Sequence, residues 1–583
     1  MAKRKLSGKD VLHMIDQLSS SECASDEDED SDIPDADLED SAVELSDDDD
    51  GDSDTDVEDE DVDAWRKLSG TSCNFTRLNF SAVSPGCQIS DDDMPDDEIG
   101  FFSLFFTEEL LKEIVDNTNE YAKEKLATMQ LRAYSIWTKW TDITLCELKA
   151  YFGVIMNMAL HDRPCIFDYF STEWVNSVPF FVDVFARYRF LQIHWMLHAA
   201  PVNGVGTGKG AKVQNVMDCV SGKSLEYFIP GPNIAIDEST IAFKGRVSCK
   251  MYNPNKPTKW GLRVYVLADS STGYISAFQP YFGRETTESL ARPGSPFTTR
   301  IVLHLIDKLL AKWSFSGFHL YTDRFYTGCS LALQLFQLGV HLTGTIQRNR
   351  QGLPTELKKA KKMATHEVVA FATNSMLALC WQDKRQVVAL STYHDATVET
   401  YQRKSRGGQV IDVVKPTVII DYNKQMGGVD RADQLCTSYN FARKSVKWWR
   451  KLFFWLLETA IVNSYILFNK QRSRGEQLTH LKYRRQLIMQ LVGDVRNRQR
   501  RRGRPSTRDK AERLNKKPHF LDQDGAKHKD CAVCSRRHKK GGRKTTVYYC
   551  KTCSRKPGLH PTKCFELYHS VVDYKPADDD NSE

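Results

Sequence analysis

The chain has 583 residues, of which 41% are hydrophobic and 11% aromatic, so it is long enough for several domains with sizeable cores. Residues 22–63 hold 24 acidic and no basic side chains, whereas the chain from residue 64 onward holds 76 basic and 50 acidic ones. The chain from residue 64 onward thus has a net charge of about +26, which argues against an acidic or neutral surface and favours a polyanionic partner. The acidic segment would compete with that partner for the basic surface.

Neither a secretory signal nor a membrane span is expected. The N-terminus carries basic residues with no apolar region after them. The longest apolar stretch, residues 452–468, contains Glu458 and Asn463 and therefore predicts a buried helix. Ten cysteines are scattered singly over residues 23–436 and five crowd into residues 531–564, which is typical of reduced thiols plus a metal site in an intracellular protein.

The predicted elements change character along the chain. Residues 1–97 are rich in Asp, Glu, Ser and Pro and are predicted to be disordered. Residues 98–232 are predicted to be mainly helical, with Thr107 as a helix N-cap and Thr144 with Glu147 as a capping box. A run of short strands broken by Gly, Pro and Asn turns follows, and then helices alternate with strands, which predicts an α/β or α+β domain.

The second half of the chain contains a further change. Residues 350–415 are rich in Lys and Arg and predict a β-rich insertion. A strand at residues 417–420 is predicted to return the chain to the α/β domain. Residues 443–469 predict a long aromatic helix, and residues 470–517 become basic and polar.

Four aspartates are the candidate catalytic residues. Asp237 and Asp323 lie in or directly after apolar strands, while Asp430 and Asp433 are one helical turn apart on one face of a helix. Any one of them alone is more simply a turn or cap residue. Together they suit Mg²⁺, a hard cation that takes oxygen ligands, and a two-metal phosphoryl-transfer site needs carboxylates on rigid elements.

A second set of residues predicts zinc binding. Two Cys-x-x-Cys pairs separated by fifteen residues precede a Cys/His cluster, a spacing typical of zinc sites rather than free thiols. The candidate ligands are Cys531, Cys534, Cys550, Cys553, His560, Cys564 and His569. Seven ligands are too few for two four-ligand sites, so either one zinc binds, or His538, His528 or a water completes the second site.

Basic residues are candidates for contact with DNA. The run at residues 496–504 favours nuclear import and phosphate contact over minor-groove readout, or else it is a solvated linker. Near residue 448 we expect the aromatic side chains to be core and the lysines to be exposed. The DNA-contact candidates are Arg348, Arg350, Lys444, Lys447, Lys451, Arg500, Arg501, Arg502 and Arg504.

Several motifs resemble those of piggyBac-family transposases, in the same order along residues 98–572. The resemblance is carried by Ile234-Ala-Ile-Asp237-Glu-Ser, Tyr252-Asn-Pro-Asn-Lys-Pro-Thr-Lys-Trp-Gly, Gly344-Thr-Ile-Gln-Arg-Asn-Arg, and Asp421-Tyr-Asn-Lys-Gln-Met-Gly-Gly-Val-Asp430-Arg-Ala-Asp433. It implies an RNase H-like core in which Asp237, Asp323, Asp430 and Asp433 are catalytic, the first three holding Mg²⁺ or Mn²⁺. It also implies a nuclear, homodimeric enzyme that binds terminal inverted repeats and moves DNA by cut-and-paste at TTAA sites.

The resemblance also implies a domain organisation. A helical dimerisation and DNA-binding domain is split around a catalytic core, which is itself split by the insertion domain, and a zinc-binding cysteine-rich domain follows. The expected segments are residues 1–97 (disordered, acidic), 98–232 (helical, first part), 233–349 (core, first part), 350–415 (insertion), 416–439 (core, second part), 440–517 (helical, second part, with a basic tail) and 528–572 (zinc-binding).

One departure from the family pattern bears on activity. Arg324 follows the second aspartate, where the family usually has Asn. This arginine would contact a DNA phosphate, weaken metal binding at Asp323, or point away. The alternatives to a transposase are therefore a domesticated, non-cleaving DNA-binding or chromatin protein, and a nuclease that cuts but does not rejoin.

Overall fold

The computed structural model describes residues 64–495 and 512–574, with short gaps. The residues outside the description are 1–63, 74, 83, 132–134, 203–205, 207, 255, 257, 359–362, 405–409, 442, 444, 496–511, 516, 524, 526–527, 537–540, 572–573 and 575–583. The chain divides near residue 496 into two compact units.

The segment before the helices is ordered where it is described. Strand β1 (Arg66–Lys67) pairs with a strand of the central sheet, and the Trp65 indole N–H donates to the carbonyl oxygen of Gly352 at 2.7 Å. Phe80 packs edge-on against Phe318 in the core. The prediction of disorder through residue 97 is therefore wrong for the described residues from 64 to 97. A few aromatic side chains bury enough surface to hold this segment against the sheet. Residues 1–63 lie outside the described part.

Helices dominate the two ends of the first unit, as predicted. Both predicted N-caps form: Thr107 accepts from the N–H of Leu110, and Thr144 with Glu147 makes a reciprocal capping box. The helices of this unit are α1 Glu98–Ser103, α2 Glu108–Thr128, α3 Leu145–Leu160, α4 Pro179–Val184, α5 Arg187–Met196, α6 Gln214–Tyr227, α7 Arg284–Ser289, α8 Phe297–Lys312, α9 Cys329–Gln337, α10 Thr355–Lys358, α11 Thr417–Gln425, α12 Gly428–Ser438, α13 Trp448–Lys470 and α14 His480–Val492.

A mixed sheet forms the centre of this unit. The described strands of this unit are β1, β2 Gly86–Cys87, β3 Phe228–Ile229, β4 Asn233–Ala242, β5 Met251–Tyr252, β6 Trp260–Asp269, β7 Ile275–Pro280, β8 Phe318–Thr322, β9 Val340–Thr345, β10 Val368–Ala372, β11 Leu377–Gln382, β12 Gln386–Ser391, β13 Val398–Lys404 and β14 Val410–Pro416. The sheet order is β1-β10-β11-β12-β9-β8-β4-β6-β5, with β7 also on β6. Strands β4, β8 and β9 are parallel and β6 and β7 antiparallel, the mixed arrangement of the expected RNase H-like core.

The segment expected to be a separate insertion is joined to this sheet. Strand β12 pairs with β9, so β10 to β12 extend the core sheet, and β13 with β14 forms a two-stranded hairpin beside it. The strand predicted at residues 417–420 is wrong: these residues begin helix α11. A short apolar run fits a buried strand or the buried face of a helix, and here Pro416 occupies the helix N-cap position.

Two large hydrophobic cores cover the sheet, besides a smaller one on β10 to β12 that includes Trp381 and Ile419. One is formed by the helices at both ends of the unit and centres on α13, whose Trp449, Phe453 and Leu456 are fully buried. The other lies under α8 and α9 on β4, β8 and β9. Helix α13 is long and apolar enough to cross a membrane by length and composition, but most of it is buried inside this core, as its polar residues predicted.

The second unit is small and rich in loops. Its strands are β15 Leu521–Gln523, β16 Lys529–Asp530, β17 Thr545–Thr546 and β18 Tyr548–Cys550, and its helix is α15 Lys563–Ser570. Strand β15 pairs with β18, and β16 with β17. Four of its few buried core residues are Cys531, Cys550, Cys553 and Tyr568, so cysteines replace much of the apolar core that a larger domain would have.

Candidate active site and zinc centres

The parallel register of two central strands places the first two aspartates side by side. Ile236 on β4 lies opposite Thr322 on β8, so the next residues, Asp237 within β4 and Asp323 directly after β8, are neighbours. The backbone N–H of Phe325 donates to Asp323 Oδ1 at 2.9 Å and holds that carboxylate at the start of a turn. The sequence supplied each carboxylate, and the register brings the two together.

Helix α12 supplies the other two aspartates and approaches the sheet closely. A Cβ at Gly428 would lie 3.1 Å from Ser270 Cα and 3.3 Å from the Cβ of Ala235, so glycine allows the start of this helix to rest on the sheet. Asp430 lies in the first turn. Asp433, one turn later, accepts a short hydrogen bond from the hydroxyl of Ser239 on β4.

Burial raises the pKa values of three carboxyl groups in this site. Burial, with Glu238 and Asp323 nearby, raises the pKa of Asp237 to about 8. Burial and the charge of Glu238 raise the pKa of Asp323 to about 6, against the opposing N–H groups of Phe325 and Tyr326 and the charge of Arg324. Burial likewise raises the pKa of Asp433 to about 6, although Ser239 and Lys256 oppose it.

The electrostatic surroundings of Tyr422 on α11 include three of the aspartates. Burial raises its pKa to about 12, and the charges of Asp323, Asp237 and Asp430 contribute to that increase. The Thr345 hydroxyl at the end of β9 donates to the Tyr422 hydroxyl at 3.4 Å. Asp433 instead has Ser239 and Lys256 as neighbours, and its catalytic role stays a prediction.

The carboxylates of this site are carried by separate elements, two strands and a helix. Within the described ranges, sets of three or more ligand atoms that all lie within 4.8 Å of one another occur only in the second unit. Two ions about 3.5–4 Å apart need ligands spread over a wider volume, and buried carboxylates that repel one another favour divalent cations.

Glu238 and its neighbours were missed by the sequence reasoning. The Tyr326 hydroxyl donates to Glu238 Oε1 at 2.7 Å, and the Lys256 ammonium lies 3.8 Å from Glu238 Oε2. Lys256 thus stands between Glu238 and Asp433 and carries positive charge at the edge of the carboxylate cluster. Both Glu238 and Lys256 are within the motifs quoted above, but only the fold shows that they meet.

The arginines near the site have different surroundings. Arg324 is exposed, and its charge acts on Asp323. Arg350 donates to the carbonyl oxygen of Phe325, and Arg348 donates to Gln386, so both help to fix the loops around the second aspartate. DNA contact by Arg348 and Arg350 stays a prediction.

The lysines beside α13 are not exposed as expected. Lys447 is only 8% exposed, and the ammonium of Lys451 donates to the carbonyl oxygen of Arg443. The prediction that these two lysines are exposed is wrong, because the first turn of α13 is packed into the helical core, and their contact with DNA stays a prediction. Lys444, Arg500, Arg501, Arg502 and Arg504 lie outside the described residues.

All seven predicted zinc ligands fall into two separate sets in the second unit. One set is Cys531, Cys534, His560 and Cys564, and the other is His519, Cys550, Cys553 and His569. His519 is the eighth ligand, which the sequence reasoning missed in favour of His528 or His538. It precedes the first Cys-x-x-Cys pair in the sequence. The strand that follows it, β15, pairs with β18, and this pairing brings His519 close to Cys550.

The donor distances fit tetrahedral zinc. Ligand bonds of about 2.3 Å to sulfur and 2.0–2.1 Å to nitrogen at tetrahedral angles imply nitrogen–sulfur distances of about 3.5 Å. The Cys534 Sγ lies 3.4 Å from His560 Nδ1, the Cys553 Sγ lies 3.5 Å from His569 Nε2, and the Cys553 Sγ lies 3.6 Å from His519 Nδ1. Each set would therefore hold one ion without rearrangement.

Surrounding groups orient these ligands. The second ring nitrogen of His569 faces the carbonyl oxygen of Phe565 at 2.8 Å, and that of His560 faces the carbonyl oxygen of Thr545 at 3.1 Å, the contacts that usually fix a metal-binding tautomer. Although burial acts to raise it, backbone N–H groups lower the pKa of Cys531 to about 7, which favours the thiolate that binds metal.

Comparison with protein families finds two matches that cover both units. The family model described as Transposase IS4 (DDE_Tnp_1_7) matches residues 97–465, well over half of the chain. The model described as DDE_Tnp_1-like zinc finger (zf-Tnp_2) matches residues 515–570 and includes all eight Cys and His donors.

Relatives and a solved structure agree with these matches. PiggyBac transposable element-derived protein 2 from Homo sapiens is 25% identical over 464 residues, covering 75% of this chain and 72% of that protein. PiggyBac transposable element-derived protein 3 from Homo sapiens is 24% identical over 477 residues, covering 80% of this chain and 75% of that protein. The cryo-EM structure of a piggyBac transposase synaptic complex with hairpin DNA superimposes with a TM-score of 0.61 at 25% identity, covering 73% of this chain and 86% of that one.

Proposed function

The chain belongs to the piggyBac-type transposases of the Transposase IS4 family, and on that premise we propose that it excises and integrates a DNA transposon at TTAA sites by metal-dependent phosphoryl transfer. The observation that carries the proposal is the strand register that sets Asp237 beside Asp323, together with the close packing on the same sheet of α12, the helix that bears Asp430. Carboxylates of this kind, held on two parallel strands and a helix, are the rigid ligand set that such chemistry needs.

The residues of the chain have separate roles in the proposed reaction. Asp237, Asp323 and Asp430 would hold two Mg²⁺ or Mn²⁺ ions, which stabilise the attacking and leaving oxygens of an in-line displacement when bound. Asp433, fixed by Ser239, would assist from the same helix face. Cleavage and strand transfer are the same displacement with different nucleophiles, so one site serves both.

DNA binding is proposed to extend beyond the active site. The related solved structure is a synaptic complex with hairpin DNA, and the chain from residue 64 onward is strongly basic. We propose that two copies bring two terminal inverted repeats together and that the zinc-binding unit binds the repeat DNA. The basic run at residues 496–504 supports the proposal of a nuclear location.

The test replaces one carboxylate and spares the fold. Asp430→Asn is expected to lower cleavage of a transposon end by at least about 100-fold, the scale on which losing one group that stabilises transition-state charge acts. Binding of the same DNA is expected to persist. Asp116→Asn on the exposed face of α2 is the matched control and should cleave normally. Undiminished cleavage by Asp430→Asn would contradict the mechanism.

A second candidate function is favoured by one position. Arg324 adds a positive charge beside Asp323, and the human relatives are named as derived from transposable elements. A non-cleaving DNA-binding protein would bind the ends but give no products in a plasmid excision and integration assay. Cuts without joined products would instead indicate a nuclease.

A further inference from the structure

A cavity next to the active site has no role in the reaction described above. It has a volume of about 440 Å³ and lies between the β13–β14 hairpin, the edge of the β11–β12 hairpin and helix α11. Its walls include the rings of Trp381, Tyr401 and Tyr422. Ligand pockets commonly have volumes of about 300–1,000 Å³, so the space is large enough for a nucleobase and its sugar.

The lining of the cavity combines flat aromatic surface with a few polar groups. Besides the three rings, Val413 and Ile419 supply apolar surface, and Asp383 and Asn423 can pair with the polar edge of a base. The Lys415 ammonium lies 5.9 Å from the centroid of Trp381 and 5.4 Å from that of Tyr401. A cation between aromatic rings at a cavity wall suits a ligand that has both a π face and a nearby phosphate.

The hairpin directs one face of its strands to this cavity. Tyr401 on β13 pairs with Val413 on β14, and Glu399 pairs with Lys415, so Tyr401, Val413 and Lys415 share one face. Trp381 is held by its indole N–H, which donates to the carbonyl oxygen of Val414 at 3.1 Å. Tyr401 is the most exposed of the three rings, at 49%, and is the one that a ligand can cover, since Trp381 is only 4% exposed.

Tyr422 links the cavity to the catalytic carboxylates. Its hydroxyl meets Thr345, which also lines the cavity. Gly344, the residue before Thr345, lies opposite Thr322, so Thr345 is beside Asp323 at the end of the neighbouring strand. A DNA strand whose phosphate lies at the aspartates would therefore have a neighbouring nucleotide at the mouth of the cavity.

We propose that this cavity receives an unpaired nucleobase of the DNA strand held at the active site, stacked against the exposed ring of Tyr401. The inference rests on the proposed function, because it assigns a further binding site to the same DNA. A base can enter only after it leaves the duplex stack, so the cavity would favour ends or target sites that are already unpaired. Stacking is tolerant of sequence, whereas Asp383 and Asn423 would add a preference among bases.

Photocrosslinking tests the location of the base. A duplex with a single-stranded TTAA overhang, in which one thymine is replaced by 5-iodouracil, is bound to the full-length protein and irradiated. The crosslink is expected on peptides that carry Trp381, Tyr401 or Tyr422, and it should be lost when the overhang is paired with a complementary strand. Crosslinks that map only elsewhere would overturn the proposal.

Affinity measurements test the role of stacking. Tyr401→Ala is expected to weaken binding of the overhang DNA about tenfold while leaving binding of the blunt duplex unchanged, a scale consistent with losing one base–aromatic stack. Tyr401→Phe keeps the ring and should bind normally. Val410→Ala is the matched control, because Val410 is exposed on the opposite face of the same hairpin. Equal binding of overhang DNA by Tyr401→Ala and the wild type would overturn the proposal.

Two further outcomes separate this inference from its alternatives. Displacement of the overhang DNA by free thymidine monophosphate at similar concentrations would assign the cavity to free nucleotides and overturn the assignment to the DNA strand. If Tyr401→Ala binds overhang DNA as tightly as the wild type while cleavage still depends on Asp430, this inference alone is overturned. A Tyr401-dependent crosslink in a protein that does not cleave would support the cavity and contradict the proposed function.

Discussion

At the scale of single residues, the active site is a set of carboxyl groups that the fold stabilises poorly as anions. Burial is the largest cause of the raised pKa values of Asp237, Asp323 and Asp433, and carboxylates near one another add to it. Such a site costs folding free energy without cations, and cations reverse that cost. The same physics explains why Lys256 and Arg324, both near these groups, affect the site without being catalytic.

The raised pKa of Asp237 leads to a prediction for pH dependence. The pKa of Asp237 is higher in the folded protein, about 8, than its ordinary value of 3.8. The protonated carboxyl group therefore contributes its full stabilisation below pH 3.8, and this contribution is lost as the pH rises through about 8. Asp237→Asn should therefore become less destabilising, relative to the wild type, between about pH 5.5 and pH 8.5 in metal-free buffer.

The readout for this prediction is the difference between the two unfolding midpoints at each pH. Buried histidines such as His319 and His480, whose pKa values burial lowers, titrate in the opposite sense and cancel in that difference. Mg²⁺ should raise the midpoint of the wild type more than that of Asp237→Asn. A difference that is independent of pH would contradict the assignment.

At the scale of elements, the second unit depends on metal at two places. His519 lies before the predicted cysteine pairs, and only the structure assigns it to a zinc site. Its replacement therefore tests a ligand that the cysteine spacing did not predict. The wild type is expected to hold two zinc ions per chain and His519→Ala one, measured by metal analysis after gel filtration. His528→Ala is the matched control, because that exposed histidine belongs to neither donor set, and it should keep two. One zinc in the wild type would contradict the prediction.

Helix α13 is joined to the sheet by one buried amide. Asn463 accepts from the N–H of Ile275 at 3.0 Å and donates to its carbonyl oxygen at 2.9 Å and to the hydroxyl of Ser224 at 3.0 Å. Asn463→Ala leaves these buried groups without their partner and is expected to lower the free energy of unfolding by about 3 kcal/mol. Met489→Ala on the exposed face of α14 should change it by less than about 0.5 kcal/mol. Chemical denaturation of both variants measures the difference, and equal stabilities would contradict the role of Asn463.

At the scale of the whole molecule, the two units are stabilised by different interactions. The first has two large apolar cores, whereas the second has a small core in which several members are metal ligands. A strong zinc chelator is therefore expected to unfold the second unit and leave the unfolding of the first unchanged in calorimetry. Loss of both transitions on chelation would show that the units do not fold separately.

The sequence by itself determined the local features and the chemistry. Helix caps at Thr107 and Thr144 formed as predicted because a cap depends on residues three positions apart. The polar residues of α13 correctly predicted a buried helix. The four carboxylates and the cysteine pairs identified the kinds of metal chemistry, because ligand preference follows from the side chain itself.

Only the tertiary structure decided which residues meet. The neighbourhood of Asp237 and Asp323 depends on strand register, and His519 reaches Cys550 through strand pairing. Residues 417–420 became a helix and Lys447 became buried, although their local sequences favoured other outcomes. The physical reason is the same in each case: burial and long-range pairing depend on segments distant in the chain, and their free energies exceed the weak local preferences that a sequence pattern reveals.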